Sequence, residues 1–123
     1  MSAAEPAPAP GSSTADWILH VEGGPSLPLT ATRVLLGRDP SGSDPTALEL
    51  ALADPSRTLS KLHALLEFEG GRWIVTDLDS TNGVVIIEAD GAQRLLPPGG
   101  SSPVAEGFVL GRVALRLGAP GMP

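Results

Sequence analysis

From Trp17 onward, short apolar runs alternate with turn residues. Runs of this length and spacing suit strands better than helices. Trp17-Ile-Leu-His-Val21 and Arg33-Val-Leu-Leu-Gly37 are the first two. Further strands are predicted near 63–68, 72–77, 84–88, 93–96, 107–110 and 112–117. The breaks between them are dense: Gly23-Gly24-Pro25, Asp39-Pro40-Ser41-Gly42, Gly70-Gly71, Asn82-Gly83, Asp90-Gly91 and Pro97-Pro98-Gly99-Gly100. Gly70-Gly71 separates Leu-Leu-Glu-Phe from Arg-Trp-Ile-Val and predicts a tight hairpin, because both glycines can take positive φ. Segment 44–53 reads two ways. Asp44-Pro45 followed by strong helix formers is a helix start, yet Leu48, Leu50 and Leu52 alternate strictly. Alternation and the neighbouring strands favour a strand there. No internal repeat is present. The pattern predicts an all-β sandwich of two antiparallel sheets, with ligand loops gathered at one end.

Residues 1–16 are different: rich in Ala, Pro and Ser, without a large apolar side chain after Met1. Nothing there offsets the entropy of ordering the backbone, so a disordered tail or linker is expected. The domain is expected over 17–119, with a short tail at 120–123. A formal net charge of -6 argues against a general nucleic-acid binder but not against a small basic pocket. Aromatic residues are 3% of the chain, so the core must be mostly aliphatic. With no Cys and two His, disulfides, thiolate chemistry and a zinc site are not expected, nor is any other metal or cofactor. No apolar run approaches the roughly 20 residues of a membrane-spanning helix. The expectation is a cytoplasmic domain, or the cytosolic part of a larger or membrane-attached protein, without direct membrane contact.

Four loop segments carry candidate chemistry: Gly37-Arg38, Ser56 to His63, Asp77 to Gly83, and Gly107 to Arg112. In this order, Gly37-Arg38, Ser60-Lys61-Leu62-His63 and Ser80-Thr81-Asn82-Gly83 resemble the motif blocks of the forkhead-associated (FHA) family. The resemblance covers about residues 17–118. It implies an FHA/SMAD-like β-sandwich of about eleven strands that binds phosphothreonine peptides through loops at one end. It also implies a partner phosphorylated on threonine, or a phosphorylated segment of the same parent chain, and a Ser/Thr kinase upstream.

The residue types suit that ligand. A phosphothreonine carries about -1.5 to -2 charge and three acceptor oxygens, so it needs converging donors. Arg38 offers a planar fork and Ser60 a short hydroxyl donor. Lys61, the only Lys in the chain, offers its side chain or its backbone N–H. The resemblance places Thr81 beside the phosphothreonine and gives Asn82 the peptide backbone. Arg57 is a candidate contact to the peptide flank, or a partner of Asp54. Gly37 and Gly83 serve backbone geometry, and His63 is expected to hold neighbouring loops rather than ligand. Two departures from the family pattern stand out: Asp79 where Gly is usual, and Val84 where Thr is frequent.

Other functions compete. A sandwich that has lost phosphate binding would be an assembly or scaffolding surface. Asp77-Leu-Asp-Ser-Thr81 also resembles the nucleophile loop of haloacid-dehalogenase-type phosphatases, but the helices of that fold are lacking. Ser60, His63 and Asp77 evoke a hydrolase triad without the expected nucleophile elbow. The reading favoured is a non-enzymatic phosphothreonine-binding module.

Overall fold

The computed structural model describes residues 17–40, 47–53, 57–104 and 107–118. The expectations for 1–16, 44–46 and 120–123 lie outside these residues. Eleven strands run through the described chain: β1 (Ile18–Val21), β2 (Ser26–Pro28), β3 (Arg33–Gly37), β4 (Leu48–Ala51), β5 (Ala64–Glu69), β6 (Arg72–Asp77), β7 (Val84–Ile87), β8 (Gln93–Leu95), β9 (Ser101–Pro103), β10 (Gly107–Leu110) and β11 (Val113–Gly118). They form a five-stranded sheet ordered β9-β6-β5-β3-β4 and a six-stranded sheet ordered β2-β1-β11-β10-β7-β8. The described residues contain no helix long and apolar enough to cross a membrane.

Every strand the pattern predicts is present, and Leu48–Ala51 settles as a strand rather than a helix. The sheets are antiparallel with one exception. β4 pairs β3 in parallel, Val34 opposite Leu48 and Gly37 opposite Ala51. Gly37 and Leu48 therefore lie at opposite ends of the paired strands. β2 and β9 were not expected as strands. Each has three residues and a proline, which is tolerated because both lie at sheet edges.

Between the sheets lies an aliphatic core. Leu66, Val75, Val84, Ile86, Leu110 and Leu115 are all buried, fed by strict alternation along β5 and β6. Three of the four aromatic rings cluster at one end, Phe68 and Trp73 having centroids 5.1 Å apart with Trp17 beside both. Gly70 and Gly71 both take positive φ in the β5–β6 hairpin at that same end. His20 is half-buried on β1 and bonds Ser26 across to β2 at 2.9 Å. The opposite end collects the chain after β3, the β4–β5 and β6–β7 connections, and the β10–β11 turn. The registers fix this, with Leu36 opposite Ala64, Ala64 opposite Asp77, and Leu110 opposite both Val84 and Val113.

Candidate functional site

Gly37 closes β3 where the β4–β5 connection crosses directly over it. A Cβ at this position would lie 2.2 Å from the Lys61 carbonyl oxygen. Only glycine admits that approach, and three backbone bonds hold it. Arg38 N–H donates to Ser60 O at 3.0 Å, Asp39 N–H to Lys61 O at 3.1 Å, and His63 N–H to Leu36 O at 2.9 Å.

Ser60 is the junction of three segments. Its carbonyl takes the Arg38 N–H, its own N–H donates to His63 Nδ1 at 3.0 Å, and its Oγ accepts the Thr81 N–H at 2.9 Å. Because Oγ acts as acceptor in that bond, its own proton remains a donor for a ligand. His63 is fully buried, and Nε2 bonds the Gly83 carbonyl at 2.9 Å. With Nδ1 receiving an N–H, the ring proton sits on Nε2 and donates to Gly83. His63 thus braces the β4–β5 connection against the β6–β7 loop and faces no solvent.

The β6–β7 loop is built around Asp77, which is 2% exposed. Its Oδ1 accepts both Ser80 N–H at 3.1 Å and Ser80 Oγ–H at 2.6 Å, while Ser80 Oγ accepts Gly83 N–H at 3.0 Å. This is the local side-chain turn that Asp favours. The side chains of Ser60, His63 and Asp77 are not arranged as a triad. Asp77 has no bond to His63, Ser60 meets His63 through its backbone N–H rather than its hydroxyl, and both ring nitrogens of His63 are engaged. Asp79 lies in the left-handed region at φ 58, which explains how it occupies a position where glycine is usual.

Thr58 is the residue that sequence reasoning missed. Its carbonyl accepts Asn82 Nδ2–H at 2.8 Å, and its Oγ1 accepts Arg112 N–H at 2.8 Å. Gly111, at φ 60, packs so closely that a Cβ would lie 2.6 Å from Thr58 Oγ1. Thr58 stood inside a flagged segment, but no spacing rule marks a hydroxyl that bonds a turn 54 residues away.

The structure therefore brings Arg38, Ser60, Lys61, Thr81 and Asn82 to one end. Arg38, Lys61, Thr81 and Asn82 are exposed and Ser60 is half-buried. Arg38 and Lys61 form no side-chain bond or ion pair among the described residues, whereas Arg33 pairs Glu67 and Arg94 pairs Glu88. Asn82 spends one N–H on Thr58, keeping its oxygen and second N–H. Arg57 is exposed on the same connection; Asp54 lies outside the described residues. A surface pocket of about 410 Å³ lies beside this cluster rather than in it, lined by Val21, Leu27, Leu52 and Val113 with Glu22 and Arg112. The cluster itself is an exposed donor surface on a hydrogen-bonded backbone frame.

Comparison with known proteins agrees with this architecture. The model of the FHA domain family matches residues 34–110. An FHA domain of an Arabidopsis thaliana hypothetical protein superposes with a TM-score of 0.66 at 19% identity, covering 95% of this chain and 96% of that one. The FHA domain of human APLF, solved in complex with an XRCC1 bisphospho peptide, gives 0.62 at 20% identity, covering 85% and 98%. An FHA domain studied for phosphothreonine-dependent interactions gives 0.57 at 20%, covering 86% and 98%. At these identities the likeness establishes the fold. No curated protein matches the chain.

Proposed function

The chain belongs to the FHA domain family, and from that premise we propose that it is a phosphothreonine-peptide recognition module with no catalytic role, mediating a phosphorylation-dependent protein interaction. The observation that carries the reading is the Ser60 junction. One residue ties the backbones of Arg38 and Thr81 to the strand-opening His63 and still offers a hydroxyl proton outward. Arg38 and Lys61 bring positive charge to the same surface without an internal partner among the described residues. The Arg38 guanidinium takes two phosphate oxygens, Ser60 Oγ–H a third, and Lys61 completes the charge balance. Thr81 lies against the phosphothreonine side chain. The outward amide atoms of Asn82 hold the peptide backbone, one donating and one accepting.

The backbones that carry these donors and the Ser60 hydroxyl are held before ligand arrives, so the ordering cost falls on the exposed Arg38 and Lys61 side chains. This also explains how an acidic chain reads an anion: the charge is local. The relatives described above include an FHA domain in complex with a bisphospho peptide and one studied for phosphothreonine-dependent interactions, which supports the same ligand class here. The test is a phosphothreonine peptide library titrated against its unphosphorylated copy, with a phosphoserine copy as third arm. Affinity gained only on phosphorylation is expected. Phosphothreonine should exceed phosphoserine by about fourfold or more, the value of one buried methyl. Equal affinity for phosphorylated and unphosphorylated peptides would overturn the assignment.

A further inference from the structure

An antiparallel sheet that covers a core with one face ordinarily turns polar side chains outward on the other. The outer face of the five-stranded sheet satisfies its own polar groups, Arg33 pairing Glu67 and Thr76 bonding Ser101. The outer face of the six-stranded sheet differs. Val84, Ile86, Phe108, Leu110 and Leu115 turn into the core, and the residues between them turn outward. The strand registers set those outward residues in two rows. One row runs Leu95, Val85, Val109 and Ala114, with Glu22 at its end. The other runs Gln93, Ile87, Gly107, Arg116 and His20. None of their apolar members joins the core, and Leu95 is 67% exposed. A depression of about 350 Å³ lies on this face, lined by Ile87, Ala114, Arg116, His20 and Glu22. Gly107 stands between Ile87 and Arg116, and a Cβ there would lie 2.6 Å from the Leu115 carbonyl oxygen. Glu22 and Arg116 are exposed, and neither side chain forms a hydrogen bond or ion pair among the described residues.

We propose that this face binds a second copy of the chain, in a dimer whose two-fold axis lies across the strands, between the two rows. Such an axis sets each row against the other row of the partner, and the sheets stack aligned. Val109 then enters the depression over the partner's Gly107, and Arg116 covers the partner's Ala114. Val85 meets the partner's Ile87, and Leu95 meets the partner's Gln93. At the edge, Glu22 lies against the partner's His20 and one strand from the partner's Arg116, so the two unpaired charges find opposites across the interface. Large side chains oppose small ones and negative charge opposes positive, which is why the surface fits itself. A face six strands wide and four residues deep measures roughly 24 by 13 Å. That is well below the about 800 Å² per partner of a standard interface, so the dimer is weak and forms with concentration. The axis makes the strands of the two copies antiparallel. The two loop ends therefore point away from each other, and the dimer joins two partner molecules rather than gripping one. The dimer itself does not depend on the phosphothreonine reading.

The experiment is sedimentation equilibrium of the full chain without peptide. The mean mass should climb from one chain toward two between about 10 μM and about 1 mM. Val109→Glu should weaken association about tenfold or more, because a carboxylate then enters an apolar depression. Glu22→Arg alone and Arg116→Glu alone should each weaken it, since like charges then meet across the interface. An equimolar mixture of those two variants should associate again, because each contact between unlike chains then pairs a positive with a negative charge. Recovery in the mixture also shows that both variants fold. A mass of one chain throughout the range overturns the proposal. So does association that Val109→Glu or the charge reversals leave unchanged, which puts the contact on another surface, and so does a mixture that fails to recover. Each of these outcomes leaves the phosphothreonine reading standing.

Discussion

At the scale of single residues, the loop end divides into side chains that hold the protein and side chains left for a ligand. Arg38 belongs to the second group: its backbone N–H is committed to Ser60, its guanidinium to nothing among the described residues. A charge-assisted pair of this kind is worth about 1.5–3 kcal/mol. Arg38→Ala should therefore weaken phosphothreonine-peptide binding ten- to hundredfold in calorimetric titration and leave the melting temperature unchanged. His63 belongs to the first group. Truncating it strands the Ser60 N–H and the Gly83 carbonyl in the interior and opens a cavity, a loss of about 3–5 kcal/mol. His63→Ala should lower the melting temperature by more than about 10 °C in a thermal scan. Full stability with lost binding would instead make His63 a ligand contact. The motif spacing and the apolar setting of His63 already led to the expectation that it holds neighbouring loops, and its bonds to Ser60 and Gly83 agree with that. Thr58 stayed hidden, because its hydroxyl and carbonyl acquire meaning only from the turn and the loop that reach it.

At the scale of elements, the end of β3 and the β4–β5 connection behave as one unit. A Cβ at Gly37 must displace the Lys61 carbonyl, which in turn anchors Asp39, and the shift passes to Ser60. Gly37→Ala should lower melting temperature and phosphopeptide affinity together, in contrast to Arg38→Ala. Paired thermal and binding measurements on the two variants distinguish the cases. The β6–β7 loop offers the opposite test. Asp79 pays a left-handed backbone and places a negative charge two residues from Thr81. Asp79→Gly removes both, since glycine takes φ 58 without steric penalty. It should keep or raise the melting temperature and tighten phosphopeptide binding about two- to fivefold, the size of a screened charge interaction at this range. Weaker binding would show that the Asp79 side chain organises the loop.

At the scale of the whole molecule, the aromatic cluster and the proposed recognition surface occupy opposite ends of the sandwich. Trp17, Phe68 and Trp73 pack together at the end away from Arg38 and Ser60. Trp17→Ala should lower the melting temperature while the phosphopeptide dissociation constant stays within twofold. Saturating peptide should leave tryptophan emission of the unaltered protein unchanged, so binding is followed on a labelled peptide. By itself the sequence determined the strands at 33–37, 72–77 and 107–110, the β5–β6 hairpin, the sandwich class and the three motif blocks. These are local: alternation with a period of two and turn residues act over a few neighbours. It also held Leu48–Ala51 as a strand against its helix-start signal, because strict alternation outweighed propensity. Tertiary structure alone decided that β4 lies parallel to β3, that the proline-bearing segments 26–28 and 101–103 become edge strands, and that Asp77 is a buried brace. It alone joined Thr58 to Arg112 across 54 residues of chain. Each of these depends on which backbone meets which, and a run of residue types does not specify its distant partner.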